Sequence, residues 1–321
     1  MRKSGPLVSI IIPCYNAAQW IGQAIDSCLN QLYQPIEVIV VDDGSTDQSL
    51  DVVRGYTESV PDTVRLLRQA RQGAPRARNV GAQLANGAYV SFLDADDLLV
   101  DDCLSRLIQA LENGNDVAYG DIEFVDADGK PMSVRDQAPH SNDSVVFSVE
   151  IGAWNSSRLF RRDVMDRCSW DVTLPCLQDY EILVNCAVHN FRFAHVPSVV
   201  AKIRLHNSPT RISVIASKSA DAFETRARLN QQFANTLAQM GALTDHRKSA
   251  FHYSLLSIAV SLWRFGEYNK ASQLFSQVNC KLARRSSCFK LFSYTSIASW
   301  AGLRTAGWAW QLRQHLRRVP G

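Results

Sequence analysis

The sequence predicts an α/β fold built on a mainly parallel sheet, and three observations predict it. Two apolar runs, residues 7–12 and 36–41, show almost no polar alternation, the pattern of strands covered on both faces. Segments with helical spacing alternate with such runs through the first hundred residues. Polar clusters follow the strands: Pro13-Cys14-Tyr15-Asn16, Asp42-Asp43-Gly44-Ser45 and Asp94-Ala95-Asp96-Asp97. Open sheets of this type bind ligands beyond the carboxyl ends of their strands. One crevice is therefore expected to collect all three clusters.

Each element has its own signal. After the first strand, residues 18–29 carry Trp20, Ile21, Ala24, Ile25, Cys28 and Leu29 at helical spacing. The second strand ends at Asp42, and Ser45 or Thr46 can cap a helix through Leu50, Val52 and Val53. Residues 64–67 read as a third strand, 74–85 as a helix with Ala77, Val80, Ala82 and Leu84 inward, and 88–93 as a fourth strand. Beyond Asp97 the pattern loosens. Residues 102–111 read as a helix and 117–125 as one or two strands, with a turn at Ala127-Asp128-Gly129-Lys130-Pro131. Residues 135–144 read as a mobile polar loop. A short strand is expected at 157–160, helices from 161 and over 179–189, and closing strands at 192–196 and 199–203.

Composition bounds the rest. The chain has 321 residues and is 46% hydrophobic, enough for a sizeable core, so disorder is excluded. The eight cysteines form no CxxC pair, which fits buried thiols in a reducing compartment. Met1-Arg2-Lys3 before an apolar run resembles a secretory leader, but the run is short and Pro13-Cys14-Tyr15-Asn16 follows it. A first core strand is the better reading. No uncharged stretch approaches the ~20 residues of a spanning helix. A cytoplasmic protein is expected, peripheral on the inner membrane surface if its tail binds lipid.

The acidic cluster carries the chemistry. Asp94, Asp96 and Asp97 repel one another unless a cation lies among them. Hard divalent ions, Mg²⁺ or Mn²⁺, take oxygen ligands and share them with substrate phosphates. A plain polar turn after a buried strand is the competing reading. Asp42 and Asp43 at a strand tip can accept the imide N–H of a base, and Gly44 permits the tight turn beside them. Tyr15 can stack on a base or ribose, with Pro13 and Asn16 lining the same pocket. The planar fork of Arg78 suits phosphate oxygens.

These segments, Val8-Ser9-Ile10-Ile11-Ile12-Pro13-Cys14-Tyr15-Asn16, Val40-Val41-Asp42-Asp43-Gly44-Ser45-Thr46-Asp47, Ala77-Arg78-Asn79 and Leu93-Asp94-Ala95-Asp96-Asp97, resemble the family 2 glycosyltransferases. The resemblance spans residues 8–97 and continues more loosely to about 210. It implies a GT-A fold: a Rossmann-like, mixed and mainly parallel sheet flanked by helices. A catalytic domain is then expected over 1–215, with a nucleotide-binding half at 1–97 and an acceptor half at 98–215, followed by an α-helical region over 216–321. The resemblance implies Asp94 and Asp96 as the DxD motif, Asp96 on the metal and Asp94 on ribose or metal-bound water. Asp97 is read as a helix cap. The family's proton acceptor comes from a Glu-Asp pair opening a later helix; here Gln178-Asp179 stands in that place, so Asp179 is the expected base. A capping role for Asp179 is the alternative. Without a neighbouring acid, Asp179 is expected to be less prone to a raised pKa. Arg204-Leu205-His206 resembles the family's Arg-x-His element, which makes His206 a further metal ligand or phosphate contact. His189 and His195 have no supporting pattern and are read as structural.

The implied activity is inverting transfer of a sugar from a nucleotide-sugar, a UDP-sugar by expectation, to a hydroxyl of a glycan or glycolipid in surface or capsular assembly. A nucleotide-sugar-binding module that has lost turnover is the alternative, raised by Gln178. A dinucleotide oxidoreductase is excluded because no GxGxxG follows the first strand. The last third reads as helices at 218–239, 246–265, 267–278 and 289–316. Residues 262–271 are similar to the turn of a tetratricopeptide-type helix pair. Residues 268–321 hold nine Lys and Arg and no acid. The aromatic and basic stripe over 289–318 fits peripheral membrane contact or packing on the body. No nucleic-acid motif accompanies it.

Overall fold

The computed structural model describes residues 5–150, 154–206 and 220–283. In chain order the elements are β1 (Val8–Cys14), α1 (Ile21–Leu29), β2 (Ile36–Asp42), α2 (Ser49–Ser59), β3 (Val64–Arg68), α3 (Ala74–Leu84) and β4 (Tyr89–Phe92). Next come β5 (Leu98–Leu99), α4 (Cys103–Glu112), β6 (Val117–Val125), β7 (Pro131–Arg135) and α5 (Ser144–Glu150). A 3₁₀ turn at Asn155–Ser157 leads into β8 (Arg158–Arg161), α6 (Arg162–Arg167), α7 (Gln178–Val188) and β9 (Phe193–Arg204). Four further helices follow: α8 (Ala220–Gln239), α9 (Asp245–Arg264), α10 (Tyr268–Ser276) and α11 (Cys280–Ala283).

Strand alternation sorts the apolar runs onto two faces. Ile10 and Ile12 of β1 enter one cluster and Ile11 the other; Val38 and Val40 of β2 part from Ile39 in the same way. The first face is covered by Ile21, Ala24, Ile25 and Cys28 of α1 and by Leu104, Leu107 and Leu111 of α4. The second is covered by Ala77 of α3, Val164 of α6, and Ile182 and Cys186 of α7. With helices on both sides, neither strand tolerates a polar residue every second position, hence the continuous runs. Each fully buried isoleucine contributes roughly 1.5–3 kcal/mol.

The nine-stranded sheet has the order β3-β2-β1-β4-β8-β6-β9-β5, with β7 paired to β6. β1, β2, β3 and β4 are mutually parallel. β8 runs antiparallel to both β4 and β6, so β6, and β9 parallel to it, point the same way as β4. The carboxyl ends of β1, β2, β4 and β9 therefore share one edge. The two closing strands expected at 192–196 and 199–203 are one strand, β9, whose register shifts opposite Gly120 and Asp121. β7 and α5 were not expected. α5 carries a conventional signal: Asp143 Oδ1 accepts the N–H of Val145 at 2.9 Å.

One buried lock fixes the acidic segment to the end of β9. Asp97 accepts the Ser156 hydroxyl at 2.7 Å and the Arg204 N–H at 3.1 Å. Arg204, 2% exposed, donates to the Asp96 and Ala127 carbonyls and to Gln23 Oε1. Asp97 caps no helix; it ties three segments together. Burial, then repulsion from Asp96 and Asp94, pushes its carboxyl well above the usual range.

The described chain divides into two compact units, one within residues 1–139 and 152–211, the other within 140–151 and 212–321. The second is helical. Ala227, Leu255, Ile258, Ala259, Leu262, Ala271 and Leu274 form its core. Arg247 pairs with Asp143 at 2.8 Å, and Asn230 donates to Ser254 at 2.9 Å. α9 and α10 form a hairpin that turns at Gly266, whose φ is +84°. The helix expected at 289–316, with its basic stripe, lies outside the described residues. Among those described, no helix is long and apolar enough to cross a membrane. The described cysteines at 14, 28, 103, 168, 176 and 186 are buried.

Two stability tests follow from this packing. A Cβ at Gly87 would lie 2.6 Å from the Ser9 nitrogen and 2.7 Å from the Tyr89 oxygen, whereas one at Gly55 meets nothing within 4 Å. Gly87→Ala is expected to lower unfolding free energy by about 1–3 kcal/mol. Gly55→Ala, in the open helix α2, should raise it by up to about 1 kcal/mol. Urea denaturation reads both. Asp97→Ala leaves the Ser156 and Arg204 donors unpaired and should cost about 1–3 kcal/mol. Asp97→Asn keeps the shape and one acceptor oxygen, but its amide nitrogen cannot accept the second bond, so it should cost less than Asp97→Ala, about 0.5–1.5 kcal/mol. Equal losses in the two Asp97 variants would mean that the charge, not the pair of hydrogen bonds, holds the segment.

Candidate active site

Two loops at the shared sheet edge are bound to each other first. Asn16, in the left-handed region at φ +48°, accepts the Thr46 N–H at 2.8 Å and gives its own N–H to Ser45 Oγ at 3.0 Å. Asn is one of the few side chains at ease there. The Ala17 N–H reaches Ser49 Oγ, and the Asp43 N–H reaches the Cys14 carbonyl, both at 2.8 Å. Pro13 sits in β1 directly beside Val41 of β2.

Asp42 and Asp43 are both buried, 1% and 3% exposed, and both are engaged. Asp42 accepts the Ser45 N–H at 3.3 Å and lies 3.5 Å from Arg68 Nε. Asp43 accepts from Gln69 Nε2 and the Gln72 and Gly73 amides, all within 2.7–2.8 Å. It thereby shapes the segment after β3. Gly44, φ +79°, lets that segment approach: a Cβ would sit 3.1 Å from the Arg71 nitrogen. Arg71 covers Tyr15, its guanidinium 3.9 Å from the ring centroid and its Nη1 donating to the phenol oxygen at 2.7 Å. Sequence reading missed Arg71, because nothing in its local pattern announces a partner 56 residues away.

The acidic segment after β4 separates its carboxylates. Asp94 turns to Arg78, whose Nη2 is 2.7 Å from Oδ1. Arg78 also donates to Gln178 Oε1 at 3.2 Å and lies 4.5 Å from the Trp170 ring centroid. Asn79 anchors Trp170 with two main-chain hydrogen bonds of 2.9 Å. Asp96 turns the other way, with Oδ2 2.8 Å from His206 Nε2. Trp20 stacks on His206, centroids 4.2 Å apart. A carboxylate and an imidazole in contact are of the ligand types a divalent ion takes, but Asp94, turned to Arg78, is not drawn in beside them.

Asp179 lies in the first turn of α7. The N-cap position is Leu177, held at φ +62°, so Asp179 does not cap the helix. Burial raises its carboxyl pKa, against the expectation drawn from Gln178. Arg158 and then Arg78 pull it down, Asp94 pushes it up, and the Asn155 N–H stabilises the anion. The reason for the miss is desolvation, which needs no second acid beside the first. Arg158 was also missed; it is fully buried and donates to the Asp179 carbonyl at 3.1 Å. Glu181, one turn position on, is pushed up to about 7 by burial and then by Asp171.

His195, expected to be structural, pairs with an acid of β6. Its Nε2 is 2.7 Å from Asp121 Oδ1, and Asp121, Asp136 and His195 offer ligand atoms within 4.8 Å of one another. The three are far apart in sequence and join only through the pairing of β6 with β9 and β7. His189 Nδ1 bonds the Asn185 carbonyl within α7's last turn.

Comparison with known proteins places this geometry. The sequence profile described as glycosyl transferase family 2 matches residues 9–169, half of the chain. An uncharacterized glycosyltransferase of Haemophilus influenzae is 38% identical over 130 residues, 40% of this chain and 52% of that protein. The match thus spans about half the length of that curated relative. Among solved structures, Staphylococcus aureus TarS 1–349 in complex with UDP-GlcNAc superposes with a TM-score of 0.58 at 17% identity, over 78% of this chain and 80% of that one. The mannosyltransferase PcManGT of Pyrobaculum calidifontis, in complex with GDP-Man and Mn²⁺, superposes at 0.52 and 21% identity, over 85% and 79%. These likenesses establish the GT-A fold. With the profile matched from β1 through α6 and the acidic segment at its heart, the chain belongs to glycosyl transferase family 2.

Proposed function

We propose that the chain is an inverting transferase that moves a sugar from a nucleoside diphosphate donor, a UDP-sugar, to a hydroxyl of a glycan or glycolipid. One observation carries this reading. Charged and polar groups from five separate segments meet at one sheet edge: Asp96 with His206, Asp94 with Arg78, Arg78 with Gln178, and the Asp179 carbonyl with Arg158. The neighbours' bound UDP-GlcNAc and GDP-Man support a nucleotide-sugar donor.

In this reading Asp42, Asp43, Tyr15, Pro13 and Asn16 form the base and ribose pocket. Opening it requires Arg71 to leave the Tyr15 ring. Arg78, whose Nε makes no hydrogen bond among the described residues, has a donor left for the diphosphate. Asp96, His206 and Asp94 would hold Mg²⁺ or Mn²⁺, and the chemistry such an ion supplies when bound is neutralisation of charge on the departing diphosphate. The Mn²⁺ beside GDP-Man in PcManGT supports that assignment.

Asp179 takes the proton of the acceptor hydroxyl. The acceptor oxygen bonds to the anomeric carbon as the bond from that carbon to the diphosphate oxygen breaks, and configuration inverts in one displacement. A raised carboxyl pKa suits a proton acceptor. Activity that needs the ionised form is present above that pKa and lost as pH falls through it, so an acid limb is expected in kcat/KM.

Gln178 favours a second reading, a nucleotide-sugar-binding module with reduced turnover, because it replaces the first acid of the family's pair with a neutral amide. One assay separates the two. Nucleotide release is measured for a panel of UDP- and GDP-sugars with Mn²⁺ and hydroxyl acceptors. Release above background, abolished by EDTA and restored by Mn²⁺, is the expected result. Asp179→Asn should lower kcat by about 10²–10⁴ and leave UDP affinity within about threefold. Asp96→Ala should weaken Mn²⁺-dependent UDP binding in calorimetry. Binding of UDP without release from any donor would support the module; neither binding nor release would remove both readings.

A further inference from the structure

Arg158 opens β8, and the reading of the site gives it no established part. It is 0% exposed. Alternation along the strand places it on the same sheet face as Phe160, which packs with Ile182 and Cys186 of α7. Its Nη2 donates to the Asp179 carbonyl, whereas its Nε and Nη1 make no hydrogen bond among the described residues. A guanidinium buried with two unmatched nitrogens is costly. An apolar side chain would fill the same space without that penalty, so packing alone does not account for an arginine here.

The charges around it do. Arg158 faces Asp179 and Cys186 of α7, Arg78 of α3 and Asp94 after β4, and Asp179 is its strongest attraction. From the other side, Arg158 is the strongest opposite charge on the Asp179 carboxyl, ahead of Arg78; Asp94 repels it and the Asn155 N–H donates to it. Arg78 is drawn away by its 2.7 Å bond to Asp94 and its bond to Gln178. Gln178 contributes no charge.

We propose that Arg158 is a positioning residue for sugar transfer: bonded to the Asp179 carbonyl, its buried guanidinium fixes the first turn of α7 and places a positive charge near the Asp179 carboxyl, the proton acceptor. This inference rests on the reading of Asp179 as the base. Its consequence has a definite sign. Removing the cation leaves burial and Asp94 opposed only by Arg78 and the Asn155 N–H, so Asp179 stays protonated to higher pH. Less of it is then ionised at neutral pH, and the acid limb of kcat/KM moves upward.

The test uses the full chain and the nucleotide sugar that gives the fastest release in the panel above. Arg158→Met and Arg158→Gln both remove the charge, the second keeping a polar group should the first not fold. The expected result is an acid limb displaced to higher pH, kcat at neutral pH reduced by about tenfold or more, and UDP affinity in calorimetry within about twofold of the parent. Arg158→Lys should keep the limb near its original position while lowering kcat, since a point charge lacks the guanidinium's planar fork. A folded neutral variant with an unmoved limb overturns the proposal, as does a loss confined to UDP affinity. Asp179→Asn is run alongside: full activity in that variant would remove the base assignment itself, a different failure from an unmoved limb in Arg158→Met.

Discussion

Three carboxylates within four residues cannot share one environment, and the architecture of the sheet edge follows from keeping them apart. Asp94 is drawn to Arg78 on α3, Asp96 to His206 beyond β9, and Asp97 inward to a hydroxyl and a main-chain amide. Each partner arrives on a different element. The segment therefore has its shape only once α3, β9 and the turn before β8 are in place. A local Asp-rich turn would need none of these. Like-charge repulsion, which would unfold the segment alone, here specifies which elements must assemble around it.

The assembly is possible because the strands run in compatible directions. β1, β2 and β4 are parallel through apolar pairing, and β8 reverses the chain so that β6 and β9 end on the same side as β4. Reversing β9 would carry Arg204 and His206 to the opposite edge. The site thus depends on apolar residues that never touch it, such as Ile10 and Ile11, which seat β1 between two helical layers.

What was legible in the sequence divides along this same line. The runs at 7–12 and 36–41 announce strands because both faces are buried, and Asp42, Asp94, Asp96 and Asp179 are visible as acids in patterned places. Residues whose meaning lies only in a distant partner were not legible. Arg71 means something through Tyr15, Trp20 through His206, and Arg158 through Asp179. Trp20 shows in the sequence only as an apolar helix position, Arg71 and Arg158 sit in no local pattern, and each partner lies on another element. β7 escaped notice because all five of its residues are exposed, leaving no apolar face to give a period. α5 escaped because its seven residues, five of them buried, follow a polar loop that masks the Asp143 cap.

The neutral Gln178 looks, in the sequence, like the loss of a catalytic group. The structure gives it a different electrostatic setting. An acid at that position would lie against Arg78 and compete with Asp94 for it, since the Gln178 oxygen is already 3.2 Å from the Arg78 guanidinium. With an amide there, Asp94 keeps the shorter bond of 2.7 Å. The Asp179 carboxyl then takes its strongest opposing charge from Arg158 on β8, beneath the helix. Burial works to protonate this acid, and the Arg158 guanidinium, 21 positions away in the sequence, is the strongest of the groups that work against it. In the proposed role of Asp179 as proton acceptor a balance of this kind is required: a carboxyl too well stabilised binds protons weakly, and one too poorly stabilised never gives up the proton it holds.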